Sequence, residues 1–305
     1  MQSYADLLVA LHTGPWALAQ GELQGLIAFA KRNAYSGRVG PPARPAAARG
    51  GGGRGGSAAR TAVIPIIGYI EPRVGLLSML GLGVSCPEIA GALREALADP
   101  GVDRIVLEID SQGGSVFGVD DLATEIRAAR ATKPVIGVAN SVAGSAAYWI
   151  GSACSELYVT PGGQVGSIGI VIQHEDVSKA LEAEGVRITL LTAGLYKAEG
   201  NPFGPLGPVA CAQLQSEVDS YGADFTQAVA RGRNVPVESV RRDMGRGRMM
   251  RADAALAANM IDGIATFDAV LRGRASSSAL RGRTGPGAGT PLSRHLAWLQ
   301  LQGVQ

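Results

Sequence analysis

The chain has 305 residues and a net charge of +2, with 46% hydrophobic and 18% charged residues. This composition can build a buried core without metals or disulfides and excludes a wholly disordered chain. The 43 glycines are about twice the usual share, so they indicate low-complexity stretches as well as backbone positions that tolerate no side chain.

Composition divides the chain into four segments. Residues 1–36 have helical spacing on both sides of Gly14-Pro15 and predict an N-terminal arm of two short helices. Residues 37–60, rich in Gly, Ala, Arg and Pro, predict a flexible linker. Residues 61–271 predict a single domain, and residues 272–305 a basic low-complexity tail with a short amphipathic end. Basic arms of this kind can contact nucleic acid, but a solvated linker is the favoured interpretation.

Within the central domain, short apolar runs alternate with amphipathic helical patterns. Strands are predicted at 62–70, 103–110, 134–139, 155–160, 167–172 and 186–192. Helices are predicted at 86–98, 117–131, 144–153 and 175–184, then at 208–231, 237–244, 252–259 and 267–271. Alternation of this kind predicts an α/β domain whose largely parallel sheet is covered by helices, with a helical C-terminal part.

The cysteines and the apolar runs exclude several kinds of protein. The three cysteines, Cys86, Cys154 and Cys211, lie far apart, so we predict buried reduced thiols, no disulfide framework and no metal site. We predict no cofactor either. The N-terminus lacks the pattern of a signal peptide, and no run of about 18 apolar residues predicts a membrane span. These features predict a cytoplasmic protein.

Two segments that follow predicted strands could carry acyl-transfer chemistry. In Asp110-Ser-Gln-Gly-Gly-Ser115, Gly113 and Gly114 would let backbone amides point at a ligand, although for this segment alone a tight strand-to-helix turn is the favoured interpretation. In Ser141-Val-Ala-Gly-Ser-Ala-Ala-Tyr148, Ser145 has small neighbours and could expose a nucleophilic hydroxyl. The alternative is a helix N-cap, and Ser141 is a rival nucleophile beside the larger Val142.

A serine nucleophile needs a base, and the central domain offers few. His174 is the only histidine within 61–271, and its neighbours predict a surface position just before a helix. Lys133 and Lys179 are predicted to be solvated. Lys197 follows an apolar run and precedes Gly200-Asn-Pro-Phe203, and a lysine among apolar groups loses hydration and can act as a neutral base. A Ser/Lys dyad is therefore an alternative to a solvated loop lysine.

Together with Gly166-Ser-Ile-Gly-Ile-Val171 and Tyr196-Lys197, these motifs resemble the signal peptide peptidase A family of serine peptidases over residues 61–271. The resemblance implies a ClpP/crotonase-like fold and a peptidase domain at 61–271. It also implies Ser145 as nucleophile, Lys197 as base, the amides of Gly114 and Ala146 as oxyanion hole, and supporting roles for Gly113 and Ser167. Homo-oligomeric rings are implied as well.

The chain differs from some members of that family because it predicts no membrane anchor and holds one repeat rather than two. Its build looks more like the phage head-maturation peptidases, which would act on capsid, portal or scaffold proteins in the host cytoplasm or inside the prohead. Three alternatives stay open: a bacterial cytoplasmic peptidase of the same chemistry, a non-catalytic capsid scaffold or portal-binding module, and a crotonase-type acyl-CoA enzyme.

Overall fold

The computed structural model describes residues 14–19, 21–34 and 60–275. Its strands are β1 Trp16–Leu18, β2 Thr61–Glu71, β3 Gly83–Ser85, β4 Arg104–Ser115, β5 Val135–Gly144, β6 Glu156–Val159, β7 Gln164–Gly166, β8 Met249–Arg251 and β9 Gly263–Ile264. Its helices are α1 Glu22–Ala34, α2 Leu76–Met79, α3 Cys86–Ala98, α4 Val119–Ala129, α5 Ala146–Ser152, α6 Ser178–Ala183, α7 Pro208–Arg233, α8 Val237–Asp243, α9 Ala252–Ala257 and α10 Phe267–Leu271.

A mostly parallel sheet runs through the molecule in the order β3-β2-β4-β5-β6-β9. The central strand β4 carries four apolar residues without any exposed surface, Ile105, Val106, Leu107 and Ile109, as expected of a parallel strand covered on both faces. Three short strands lie outside this order: β1 pairs antiparallel with β4, while β7 pairs parallel with β5 and antiparallel with β8. The predicted α/β class with a largely parallel sheet is confirmed.

Helices cover the sheet through close apolar contacts. Helix α3 begins with a capping box, in which the Ser85 hydroxyl accepts from the Glu88 amide and the Glu88 carboxylate accepts from the Ser85 amide. Helix α5 is buried along its whole length, and its Trp149 stacks on Phe225 of α7 with ring centroids 4.5 Å apart. These contacts hold the first turn of α5 against the ends of β4 and β5.

A buried ion pair joins the end of α7 to the segment before β9. The Arg233 guanidinium donates to the Asp262 carboxylate at 2.8 Å, and the two side chains are only 6% and 11% exposed. The same carboxylate accepts a hydrogen bond from the Leu157 amide of β6 at 2.8 Å. Asp262 therefore ties one helix and one strand to the sheet edge.

The structure confirms most of the predicted elements and corrects several. Helix α3 and helix α10 have the predicted bounds. No strand forms at 186–192, which is exposed and without regular structure, and the strand predicted at 167–172 is replaced by β7 at Gln164–Gly166. Nor are residues 16–18 helical, since they form β1. The first predicted helix of the arm, most of the linker and the tail beyond residue 275 lie outside the described residues.

The cysteines of the described residues differ in their burial. Cys86 and Cys154 are buried as expected, but Cys211 lies exposed on α7, because it is on the solvent side of a helix that buries only part of its surface. Within the described residues, no helix is both long enough and apolar enough to cross a membrane.

Candidate active site

Ser145 lies at the junction of β5 and α5 in a strained backbone conformation. Its φ of 50° and ψ of −114° are unusual for a residue with a side chain, and such conformations cost about 1–3 kcal/mol. The Ser145 amide donates to the carbonyl of Gly166 at 2.7 Å, which holds the junction against β7. The hydroxyl makes no N-cap hydrogen bond, so the alternative of a simple helix cap is wrong.

The Ser145 hydroxyl is enclosed rather than presented to solvent. The residue has no exposed surface, and its Oγ lies 3.4 Å from the carbonyl oxygen of Gly169, at the long end of hydrogen-bond distances. A serine placed in this way is shielded from water and from any ligand in the conformation described here.

The two glycines at the end of β4 allow neighbouring main chains to come close. A Cβ added at Gly113 would lie 3.1 Å from the Ala146 amide nitrogen, so Gly113 lies directly beside the start of α5. One added at Gly114 would overlap the main chain of Ile70. Because β4 continues to Ser115, the alternative of a tight strand-to-helix turn is wrong. The glycines instead allow neighbouring main chains to lie close to β4.

Ser167 lies beside the same junction, directly after Gly166, whose carbonyl accepts from the Ser145 amide. It has a positive φ of 54°, its amide donates to the carbonyl of Arg248 at 2.9 Å, and its side chain is buried. Its hydroxyl lies 3.4 Å from the carbonyl oxygen of Leu18. The structure thus brings Gly113, Ala146 and Ser167 around Ser145, with Gly114 next in β4.

Lys197 is not part of this group. Its side chain is exposed, and no hydrogen bond joins it to Ser145 among the described residues. It lies on a segment that leaves large apolar side chains in solvent, including Leu191 at 93% and Leu195 at 87% exposure. His174, the rejected alternative base, contacts the carbonyl of Asn201 at 3.0 Å.

Competing chemistries find little support in the described part of the chain. Burial raises the pKa of Cys86 and of Cys154 to about 12, so both thiols stay protonated at neutral pH and are poor nucleophiles. Among the described residues, no group of three or more His, Cys, Asp or Glu side chains could hold a metal ion.

A model of peptidase family S49 matches residues 127–281, just over half of the chain. The chain belongs to peptidase family S49. This match includes Ser145, Ser167 and Lys197 but not Gly113 and Gly114, which precede it. The resemblance to signal peptide peptidase A peptidases inferred from the motifs is confirmed, since proteins of that name are among the relatives.

Among its S49 relatives, the Capsid assembly protease C of Escherichia phage lambda is 36% identical over 179 residues, which cover 59% of this chain and 41% of that protein. The Head-tail preconnector protein GP5 of Enterobacteria phage P21 is 34% identical, over 59% of this chain and 36% of that protein. A Putative signal peptide peptidase SppA of Enterococcus faecium is 25% identical, over 56% and 50%. The chain thus matches less than half the length of the two phage proteins.

One segment beside Ser145 was not predicted from the motifs of this S49 chain. Trp16–Ala19 lie against the end of β4 and next to Gly144, where a Cβ added at the glycine would lie 3.3 Å from the Ala19 Cβ. The only signal in the sequence was a short apolar run after Gly14-Pro15, which fits a strand as well as a helix.

Proposed function

We propose that the chain is a serine endopeptidase in which Ser145 is the nucleophile and Lys197 the general base, on a ClpP/crotonase-like fold. The observation that carries this proposal is the strained, buried Ser145 next to the Ala146 amide and the Gly113-Gly114 end of β4. Strain and closely packed main-chain donors are typical of a site built for acyl transfer. Membership of S49 makes peptide bonds the substrate, rather than acyl-CoA thioesters.

The proposed reaction proceeds through an acyl-enzyme. The Lys197 amine takes the proton of the Ser145 hydroxyl, and the oxygen attacks the carbonyl carbon of the substrate peptide. The amides of Gly114 and Ala146 donate to the resulting oxyanion, while Gly113 and Ser167 keep the surrounding main chain in place. The protonated lysine then donates to the leaving amine, and water releases the acyl group with the same base.

We propose capsid, portal or scaffold proteins of a phage head as substrates. This rests on the higher identity to the two phage proteins than to the Enterococcus protein, which favours a head protease over a bacterial cytoplasmic peptidase or a non-catalytic scaffold. Location in the host cytoplasm or inside the prohead follows from such substrates. Contact of the basic segments with nucleic acid stays a prediction.

Co-expression with capsid, portal and scaffold proteins of a phage head tests the substrate. We expect at least one head protein to have a shortened terminus with the wild-type chain and its full length with Ser145→Ala, as mapped by mass spectrometry. The same termini with both chains would exclude this substrate class.

The exposure of Lys197 leads to a second part of the proposal, that the peptidase works as a homo-oligomer. Val186, Ile188 and Leu190 alternate with polar residues, a strand pattern that has no pairing partner within the described chain. Because a strand needs a neighbour, we propose that a second copy pairs with this segment. Such pairing would remove Lys197 from solvent and bring it to a Ser145 hydroxyl.

Mixing two inactive variants tests which Ser145 the lysine reaches. If the dyad forms between copies, co-refolded Ser145→Ala and Lys197→Ala chains recover peptidase activity, because a mixed oligomer holds one intact Ser145–Lys197 pair. Each variant refolded alone is the control and stays inactive. An inactive mixture that assembles to the wild-type size would place the dyad within one chain.

A further inference from the structure

Residues Trp16–Ala19 lie between two segments that flank Ser145. On one side β1 pairs antiparallel with β4 in the register Trp16–Ser115, Ala17–Gly114 and Leu18–Gly113. On the other side the Trp16 amide and carbonyl exchange two hydrogen bonds of 2.9 Å with Val171. The N-terminal strand is therefore held from both edges, as the middle strand of a three-stranded arrangement.

The main-chain groups of this strand alternate between its two neighbours. Trp16 and Leu18 face the 167–171 side, where the Ser167 hydroxyl lies 3.4 Å from the Leu18 carbonyl oxygen. Strand geometry then turns the amide and carbonyl of Ala17 towards Gly114, and the Ala19 amide donates to the Gln112 carbonyl at 2.8 Å. The Ala17 carbonyl comes so close that a Cβ at Gly113 would overlap its oxygen.

Apolar side chains fix the strand in this position. Trp16 and Leu18 are buried in a cluster that contains Leu76, Leu77 and Leu80. Helix α1 adds Leu23, Leu26, Ile27 and Ala30 to the same cluster. The Tyr69 hydroxyl, on β2, also donates to the Glu22 carboxylate of α1 at 3.1 Å. Burial of this many large side chains makes the strand a stable part of the fold.

An extended peptide can bind a protein by adding a strand to an exposed edge, using main-chain hydrogen bonds for affinity and pockets for alternate side chains. The edge beside Ser145 offers such a place at Gln112–Ser115, opposite Val171. In this structure the chain itself fills it, with Ala17 facing the amide that the proposed function assigns to the oxyanion hole. The absence of any exposed surface on Ser145 agrees with this occupancy.

We propose that Trp16–Ala19 occupy the substrate cleft as an internal inhibitor, so that the peptidase is latent until this strand leaves. The proposal rests on Ser145 being the nucleophile of the proposed function. When the active site is open in only a minor fraction of the molecules, the observed rate of reaction equals the rate of the open form multiplied by that fraction. Substrate and the N-terminal strand then compete for the same main-chain groups of β4.

The rate at which a fluorophosphonate probe labels Ser145 tests this proposal on the full chain. The Trp16→Ala/Leu18→Ala variant removes the two anchoring side chains, and we expect labelling about tenfold faster or more, because the open fraction rises. Leu93→Ala is the matched control, since Leu93 is equally buried but belongs to the core cluster rather than to that of β1. It should be labelled at the wild-type rate.

A second variant covers the case in which the double variant fails to fold. Ala17→Pro keeps Trp16 and Leu18 but removes the amide that faces Gly114, and it should also be labelled faster. A synthetic peptide of residues 14–20, added to this variant, should slow labelling again by refilling the cleft.

The outcomes distinguish the proposed inhibition from the proposed function on which it rests. Labelling of the wild-type chain as fast as that of both β1 variants would overturn inhibition and leave the serine nucleophile standing. If no variant showed labelling that depends on Ser145, both the assignment of Ser145 as nucleophile and the proposed inhibition would be wrong. Cleavage of the wild-type chain between residues 16 and 20, absent from Ser145→Ala, would show a substrate instead of an inhibitor.

Discussion

Replacing Ser145 with alanine should lower peptide turnover by about 10⁶-fold, the loss found when a serine peptidase loses its nucleophile. Lys197→Met should cause a loss of similar size, because a serine hydroxyl without a base is a weak nucleophile. Combining the two should cost little more than either alone, since nucleophile and base act as one unit. Hydrolysis of a fluorogenic peptide, measured on the Trp16→Ala/Leu18→Ala background as well as the wild type, gives these values.

Ser141→Ala is the matched control for this measurement. It removes the same hydroxyl from the same loop, but Ser141 is exposed and lies at the other end of the run that leads to Ser145. We expect its turnover to stay near the wild-type value. A loss of turnover with Ser141→Ala and not with Ser145→Ala would reverse the assignment of the nucleophile.

The largest effect on stability is expected at Asp262. Asp262→Ala should lower the free energy of unfolding by about 3–5 kcal/mol, because it leaves the buried Arg233 guanidinium without its counter-charge. It also leaves the Leu157 amide without its acceptor. Urea unfolding followed by circular dichroism measures the change as a shift in the transition midpoint.

Asp243→Ala provides the comparison, since Asp243 pairs with Arg242 on the exposed surface. Exposed pairs contribute little because water and salt screen them, so this variant should keep the wild-type midpoint. Equal destabilisation by the two variants would show that the buried Arg233–Asp262 pair contributes no more to the free energy of unfolding than an exposed pair.

The parts of the fold that could be predicted from the sequence are those whose signals are local. Helix α3 carries its own capping box and amphipathic pattern, so its bounds follow from residues within the helix. The apolar run 186–192 has an equally clear strand pattern and yet forms no strand. A strand also requires a partner, and no pattern within the run says whether one is available.

The same distinction applies to the candidate site. The proximity of the other site residues was predictable, because each follows a predicted strand and adjacent parallel strands bring their ends together. These residues are Gly113, Gly114, Ser145, Ala146 and Ser167. Placement of Lys197 was not predictable, because it depends on a long exposed segment without regular structure of its own. Strand β1 was missed since its partners, Gly113–Ser115 and Val171, lie far along the chain.

The long sequence separation between β1 and its partners affects the order in which they become available during translation. Residues 16–18 leave the ribosome before either of the segments that will flank them, and Val171 is translated on the order of ten seconds later. Strand β1, the earliest of the described strands, is therefore without its partner strand until Gly113–Ser115 are translated, and without Val171 until later still. In each new molecule, the segment that fills the groove beside Ser145 is thus synthesised before the residues that form the groove.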